Sequence, residues 1–368
     1  MRVLLTSHTY TAIGNHAKLA ALAALPNIEL LVVTPEKWHD ALFTNTSHQI
    51  SKSYTVKILP TFGKSRGNFF LYKANLRTLL HDFKPDILHV EQEPGSLVTA
   101  QWLWANQHQA GTIVFSWENL NQPWKFPRSP LEQYTLRHAD MMIGGNDESV
   151  TLLQSKGRQK PIVKLPQLGI SVQDNQTSEI STLRKQLNLS TQFVIGFIGR
   201  LIPEKGILDL AQAVASLPES HFLILGKGPL YEQLQHQPNT TVCPAVPHQQ
   251  VPQYLGAMDV LVLPSRTTPQ WKEQFGRVLI EAMACGVPII GSDSGAIPEV
   301  IADAGLIFPE GNITALRDCL LQLQQNPTLR AELSRKGRER VLAHYTHEQI
   351  AAQTVAIYKQ LLQKPHRF

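Results

Sequence analysis

Residues 267–295 read TTPQWKEQFGRVLIEAMACGVPIIGSDSG. The middle of this stretch predicts a short helix from about Arg277 that stops cleanly. Gly286 suits a left-handed cap, and Pro288 cannot continue the helix. VPIIGS then predicts a strand short and apolar enough to be buried on both faces. Within the helix, Glu281 is the only charged residue between Arg277 and Gly286, flanked by Leu279, Ile280, Ala282 and Met283. Glu273 stands just before the helix, with seven residues between the two glutamates. A buried carboxylate with no partner costs on the order of several kcal/mol. Either Arg277, one turn back, pairs with Glu281, or Glu281 serves a ligand.

Working outward, the helix–strand unit repeats along the chain. RVLLTS, ELLVVT, TVKILP, DILHVE, TIVFSW, MMIGG and IVKLP alternate with helix-like segments in the first half. FVIGFIG, HFLILG, TTVCPA, DVLVLPS, VPIIGS and GLIFP do so in the second. Continuous apolar strands between helices predict parallel sheets covered on both faces. The expected organisation is two doubly wound α/β domains, 1–170 and 193–345, with a linker over 171–192. A terminal helix over 346–368 is expected to pack back on the first domain.

A chain of 368 residues, 43% hydrophobic and 17% charged, is long enough for two such cores. The sequence has no apolar run long enough to span a bilayer. MRVLLTSHTY reads as a first strand rather than a signal peptide, so a cytoplasmic protein is expected. Cys243, Cys285 and Cys319 are too dispersed for a zinc site or a disulfide framework, which leaves reduced core thiols. The net charge of +5 comes from residues 1–168, with 17 Lys+Arg against 12 Asp+Glu. This suits either a solvated basic face or an anionic partner such as a membrane surface. The segment 62–77 interleaves Lys64, Arg66, Lys73 and Arg77 with Phe69, Phe70 and Tyr72. It reads either as a loop and an ordinary amphipathic helix or as a helix touching anionic lipid. No basic stripe of the kind nucleic acids require is present.

Chemistry concentrates at predicted strand ends. A carboxylate such as Glu281 can accept hydrogen bonds from two neighbouring hydroxyls of a ribose or sugar. Glu273 lies near the positive end of the helix, where Phe275, Gly276, Arg277 and Val278 present backbone N–H groups suited to a sugar and a diphosphate. In FIGRLIPEKGILDL, Arg200 closes a strand and Lys205 opens the next helix, an end at which a lysine is disfavoured unless it meets an anion. Together they suit a diphosphate. Gly226 and Gly228 in LILGKGPLYEQL form either a phosphate- or base-contacting turn or a plain tight turn. Gly14, after the first strand, carries the same two readings.

These stretches, with VPHQQVPQYLGAMDVLVLPS and EQFGRVLIEAMACGVPIIGSDSGAIPEVI, resemble the retaining glycosyltransferases of family 4, which have the GT-B fold. The resemblance covers nearly all of 193–345. It is weaker over 1–168, where it rests on PDILHVEQEP and one glycine. It implies two Rossmann-like domains facing across a cleft, with the C-terminal helix crossing back to the first. It further implies retaining, metal-independent hexosyl transfer from a UDP- or GDP-sugar to a hydroxyl acceptor in polysaccharide, glycolipid or other glycoconjugate biosynthesis. The nucleotide sugar is a co-substrate and no cofactor is expected; the acceptor is a small molecule, a glycan or a lipid-linked compound. Arg200 and Lys205 would neutralise the diphosphate, Glu273 would hold the sugar, and Glu281 the ribose. Val246, with the glycines and the helix amides, completes the expected donor site. No Asp-x-Asp motif occurs to bridge a metal to the diphosphate.

The sequence departs from the family where many members carry a histidine near the transferred sugar. Here TIVFSWENLNQPW puts Glu118, beside Trp117, nearest that position. Glu118 is the expected catalytic substitute, with Asn119, Glu91 and Glu93 as acceptor-site candidates; the alternative is that Glu118 and Asn119 only cap a turn. Two rivals share the scaffold. A nucleotide-sugar epimerase or hydrolase would need acid and base groups around the sugar. A non-catalytic sugar-nucleotide binding subunit would be free to lose the charged residues retained here.

Overall fold

The computed structural model describes residues 1–39, 44–47, 53–63, 69–122, 126–172, 177–189 and 192–363. The chain divides into two compact units, Met1–Gly169 with His347–Phe368, and Ile170–Thr346. The first unit contains strands β1 (Arg2–Thr6), β2 (Glu29–Pro35), β3 (Lys37–His39), β4 (Thr44–Thr46), β5 (Thr55–Leu59), β6 (Thr61–Gly63), β7 (Phe70–Tyr72), β8 (Ile87–Val90), β9 (Gly111–Ser116), β10 (Met141–Gly144) and β11 (Ile162–Lys164). Seven of them form one sheet in the order β11-β10-β9-β8-β1-β2-β5, every neighbouring pair parallel. The second unit holds β12 (Phe193–Arg200), β13 (Ser220–Lys227), β14 (Thr240–Cys243), β15 (Val260–Leu263), β16 (Ile289–Ser292) and β17 (Leu306–Phe308). These form a second parallel sheet in the order β14-β13-β12-β15-β16-β17. The fold class expected from the sequence, two doubly wound α/β domains, is the one observed.

The apolar strands work because side chains alternate across a sheet. In β1, Val3 and Leu5 enter one core while Leu4 enters the opposite one. In β12, Ile195 and Phe197 face one core and Val194 the other. Each sheet therefore buries both faces, which a half-polar strand could not do.

The helices covering the first sheet are α1 (His16–Ala23), α2 (Leu76–Phe83), α3 (Leu97–Asn106), α4 (Arg128–His138) and α5 (Asp147–Ser155). The second unit adds α6 (Thr177–Gln186), α7 (Ile207–Ala215), α8 (Tyr231–Gln235), α9 (Val251–Gly256), α10 (Arg277–Ala284), α11 (Ile297–Ile301), α12 (Ile313–Gln325) and α13 (Pro327–His344). The last helix, α14 (His347–Leu362), belongs to the first unit. Its Ile350, Ala351, Val355, Tyr358 and Leu361 lie in the core that holds Val3 and Leu5. Tyr358 Oη also sits 2.8 Å from Nδ1 of the buried His89 on β8. Cys243, Cys285 and Cys319 are free thiols. Among the described residues no helix is long and apolar enough to cross a membrane.

One expectation is corrected, and the two readings of 62–77 are refined. The linker expected over 171–192 is largely α6 and its C-terminal turn, packed on the second unit. Leu183 and Leu187, one helical turn apart, pack against that unit's core, and Leu189 is buried within it. Arg184 fixes the turn by donating to the carbonyls of Leu189 and Gln192. The segment 62–77 is not one helix. Thr61–Gly63 and Phe70–Tyr72 pair antiparallel, with Phe70 and Tyr72 buried, because alternating aromatic residues fit a pleated strand better than a helix. The helix starts only at Leu76, where the Asn75 side chain accepts from Thr78 N. Lys64 and Arg66 lie outside the described residues.

Candidate functional site in the second unit

The end of β12 and the segments that follow β12 and β15 carry the expected charged residues Arg200, Lys205 and Glu273. β12 and β13 run in register to their tips, pairing Gly199 with Gly226 and Arg200 with Lys227. A Cβ on Gly226 would lie 2.0 Å from the Gly199 carbonyl oxygen, so the close approach of these two strands requires glycine there. Leu201 N then donates to Lys227 O, and Leu230 N to Leu201 O, locking the turn that contains Gly228. Local packing therefore accounts for Gly226 and Gly228 as a tight turn.

Arg200 closes β12 partly exposed, and its guanidinium has no hydrogen-bond or ion-pair partner among the described residues. The chain then makes a 3-10 turn, Pro203–Lys205, and enters α7 through Gly206 at φ 63°. A Cβ on Gly206 would strike the Pro264 carbonyl oxygen at 1.8 Å. Glycine thus lets the start of α7 press against the end of β15 and carries Lys205 to the residues that follow that strand.

There Lys205 meets its anion. Its ammonium donates to Glu273 Oε2 at 2.5 Å, and the Ser265 hydroxyl donates to the same oxygen at 2.9 Å. Glu273 is only 7% exposed. Ser265 is fixed in turn, its carbonyl accepting from Ser292 Oγ at 2.6 Å, while Glu273 O accepts from Ala296 N. The Lys205 ammonium also lies 4.9 Å from the centre of the Trp271 ring, within cation–π range. The loop holding Trp271 is clamped by a two-pronged Arg266–Asp209 pair at 2.5 and 2.6 Å and by Thr267 N donating to Glu310. Such forked pairs fix direction as well as distance.

Beyond Glu273, Gly276 at φ 73° is the N-cap of α10, and no side chain caps the helix's first turn. Phe275 packs edge-on against Tyr345, ring centres 5.8 Å apart, and Val278 rests on the core, so both anchor the helix start. Glu281 is neither fully buried nor unpaired. Arg277 Nε and His248 Nε2 each stand 3.0 Å from the same oxygen, Oε1. No partner for Oε2 occurs among the described residues. The ion pair with Arg277 therefore exists and leaves half of the carboxylate open. Val246, partly buried against the core, begins the segment that delivers His248.

Gly14, Glu91, Glu93, Glu118 and Asn119 belong to the first unit. Gly14 sits in an exposed 3-10 turn before α1, and a Cβ there would meet nothing within 4 Å, so packing does not require glycine. Glu91 is no acceptor group. It is buried, one oxygen paired with the Lys18 ammonium and the other accepting from Tyr10 Oη and Gln167 Nε2. Burial pushes its carboxyl up, but Lys18, His89 and Gln167 together outweigh that and hold it below the usual range. Glu118 is likewise engaged through both oxygens, with Arg128 at 2.5 Å and Lys156 at 3.1 Å, and Lys156 also pairs with Glu132 at 2.5 Å. The catalytic role expected for Glu118 gives way to an ion-pair network. Asn119 donates to Glu148 at 3.1 Å. Glu93 accepts from Ser116 Oγ and Trp117 N, and burial together with the charge of Glu118 pushes its carboxyl up to about 7.

Ser265, His248 and Trp271 escaped the sequence reading. Ser265 carried a weak signal, standing at the tip of the DVLVLPS strand. Nothing local marked His248, which lies 33 residues from Glu281.

The family model for glycosyl transferases group 1 matches residues 179–340. The chain is 34% identical over 182 residues to a GDP-mannose-dependent monoacylated alpha-(1-6)-phosphatidylinositol monomannoside mannosyltransferase of Corynebacterium glutamicum, 46% of this chain and 48% of that protein. It is 31% identical over 195 residues to N-acetyl-alpha-D-glucosaminyl L-malate synthase of Bacillus anthracis, half of each chain. The chain thus spans about half the length of these curated relatives. Among solved structures, sucrose-phosphate synthase from Thermosynechococcus elongatus matches 98% of this chain and 99% of its own, with a TM-score of 0.70 at 20% identity. Anabaena HepE, solved with UDP, matches 98% and 100% with a TM-score of 0.72 at 17% identity, a likeness of fold. The match to the group 1 glycosyl transferase family model thus lies within the second unit, and the two parallel α/β sheets have the GT-B fold of these solved structures.

Proposed function

We propose that this protein transfers a sugar from a nucleoside-diphosphate sugar to a hydroxyl acceptor, with retention of anomeric configuration and without a metal. The observation that carries this reading is the buried Lys205–Glu273 contact, with Arg200 closing β12 at the same sheet end and having no partner among the described residues. Cations meet the diphosphate, Glu273 meets the sugar hydroxyls, and the open oxygen of Glu281 meets the ribose. In the reaction the acceptor oxygen bonds to the anomeric carbon as the bond from that carbon to the phosphate oxygen breaks. The electron pair leaves with the diphosphate, which also takes the acceptor's proton. Arg200 and Lys205 stabilise the charge that develops; losing one such group costs roughly 10²–10³ in rate. The relatives' names, a phosphatidylinositol mannoside mannosyltransferase and a glucosaminyl malate synthase, support glycoconjugate synthesis as the setting.

The test is a donor screen. UDP-, GDP- and ADP-sugars are added to wild type and Glu281→Ala, and melting temperature and donor hydrolysis are followed with and without EDTA. One nucleotide should raise the wild-type melting temperature by mass action, less so in the variant, and EDTA should change nothing. No shift at millimolar donor would remove the reading. Epimerisation, or donor turnover unaffected by any acceptor, would favour the rival enzyme class; binding without turnover would favour the non-catalytic subunit.

For the acceptor we favour a molecule held at an anionic membrane. In the first unit Phe62 and Trp104 are 59% and 62% exposed, with Lys73 Nζ 4.4 Å above the Phe62 ring and the Arg77 guanidinium 4.0 Å above Trp104. Tyr72 N and O bond to the Gln101 side chain, which ties the Phe62 hairpin to the helix carrying Trp104. Exposed rings with cations beside them suit a lipid interface. Phosphatidylglycerol vesicles should bind the protein at low salt and release it at high salt, and Lys73→Ala/Trp104→Ala should weaken binding. Absence of binding, or binding that ignores salt, would sink this reading.

A further inference from the structure

We propose that His248 is a positioning residue for the nucleotide-binding carboxylate: with Arg277 it clamps one oxygen of Glu281 and so aims the other at the ligand's hydroxyl. The proposal rests on Glu281 being the ribose contact. Arg277 Nε and His248 Nε2 approach Oε1 at 3.0 Å each, from two different elements. Arg277 stands one turn back on α10, whereas His248 comes from the 3-10 turn His248–Gln250, reached through Val246 and Pro247. A carboxylate oxygen only accepts, so His248 Nε2 carries the proton in this bond. One contact on its own helix would leave the Glu281 side chain several rotamers. A second contact from a separate element selects one of them, in which Oε2 has no partner among the described residues. The Glu281 side chain is 14% exposed, open enough to meet a ligand and closed enough that a wrong rotamer would lose it.

The histidine is itself 57% exposed along its side chain, so its removal empties no core. Its effect should appear in recognition of the ribose and not in the fold or in the phosphate contacts. The probes are UDP, GDP and ADP, their 2′-deoxy forms and inorganic pyrophosphate, titrated calorimetrically into full-length wild type, His248→Ala and His248→Gln. In His248→Ala the preferred nucleotide should bind roughly three- to tenfold more weakly, the scale of one lost hydrogen bond. Its preference for ribose over 2′-deoxyribose should shrink, while pyrophosphate binding stays the same. Glutamine, whose amide can donate to Oε1, should restore most of both. With turnover as the readout, KM for the donor should rise and kcat hold. Unchanged nucleotide affinity and sugar preference in His248→Ala would overturn the proposal, as would an equal loss of nucleotide and pyrophosphate binding. If wild type binds none of the three nucleotides, the donor-site reading fails and takes this one with it.

Discussion

Replacing Lys205 by methionine tests the buried pair at the centre of the site. The Lys205 and Glu273 side chains are 14% and 9% exposed, and their polar ends meet at 2.5 Å. Methionine keeps much of the length and removes the charge, leaving Glu273 buried without its cation. Breaking a buried pair from one side typically costs about 3–5 kcal/mol. The lower end applies, because Ser265 Oγ still donates to the same oxygen at 2.9 Å. A loss of about 3 kcal/mol should lower the melting temperature of a unit this size by roughly 6–12 °C. Neutralising both partners, as Lys205→Met/Glu273→Gln, should recover most of that loss, since a buried charge no longer lacks its partner. Turnover should not recover, because the proposed function has both residues meeting the donor. The assay is calorimetric unfolding of wild type, the two single variants and the double variant, with donor hydrolysis measured on each. Additive losses of stability, or a Lys205→Met protein that melts and turns over like wild type, would refute the coupling.

Arg200→Ala should leave the melting temperature unchanged, since no intramolecular partner is lost among the described residues, yet cut turnover by roughly 10²–10³; a structural residue would show the opposite. Gly226→Ala should destabilise the second unit by about 1–3 kcal/mol, because the new Cβ would sit 2.0 Å from a backbone oxygen that cannot move aside; an unchanged denaturation midpoint would contradict the packing. Glu93 gives a pH dependence. Its folded carboxyl is raised from 4.5 to about 7, so the folded state holds more protons than the unfolded one across that window. Stability contributed by the protonated form is present below the unfolded value and lost as pH rises through the folded one, on the order of 3 kcal/mol. Glu93→Gln should therefore gain on wild type between pH 5 and pH 8; a gap that does not change with pH would rule this out.

The two sheets were legible because parallel strands are apolar from end to end, and RVLLTS or DVLVLPS can be little else. Gly286 and Pro288 likewise marked where α10 stops. The link over 171–192 misled because its polar opening, SVQDNQTSEIS, hides the start of a helix whose core-packing Leu183 comes only in its second half, with Leu187 just beyond its end. The charged residues of the second unit were readable because the strand–turn–helix geometry that places them is local. Lys205 follows β12 by five residues, and Glu273 stands four residues before the first residue of α10. The first unit's carboxylates were not, since their state depends on partners distant in sequence. Glu91 looks available at a strand tip, but Lys18, 73 residues away, has taken it. Glu118 looks free until Arg128, at the start of α4, and Lys156, just past the end of α5, arrive. For Glu281 the ion pair holds on one oxygen while the other has no partner among the described residues, a division that residue spacing alone does not reveal.

The most direct test of the account is hydrogen–deuterium exchange of wild type with and without the donor that the screen selects. Bound donor should slow exchange in peptides covering residues 200–206 and 273–281 of the second unit, and Arg200→Ala should abolish that protection at the same donor concentration. Protection confined to other peptides, or protection that persists in Arg200→Ala, would contradict the assignment of these residues to the donor.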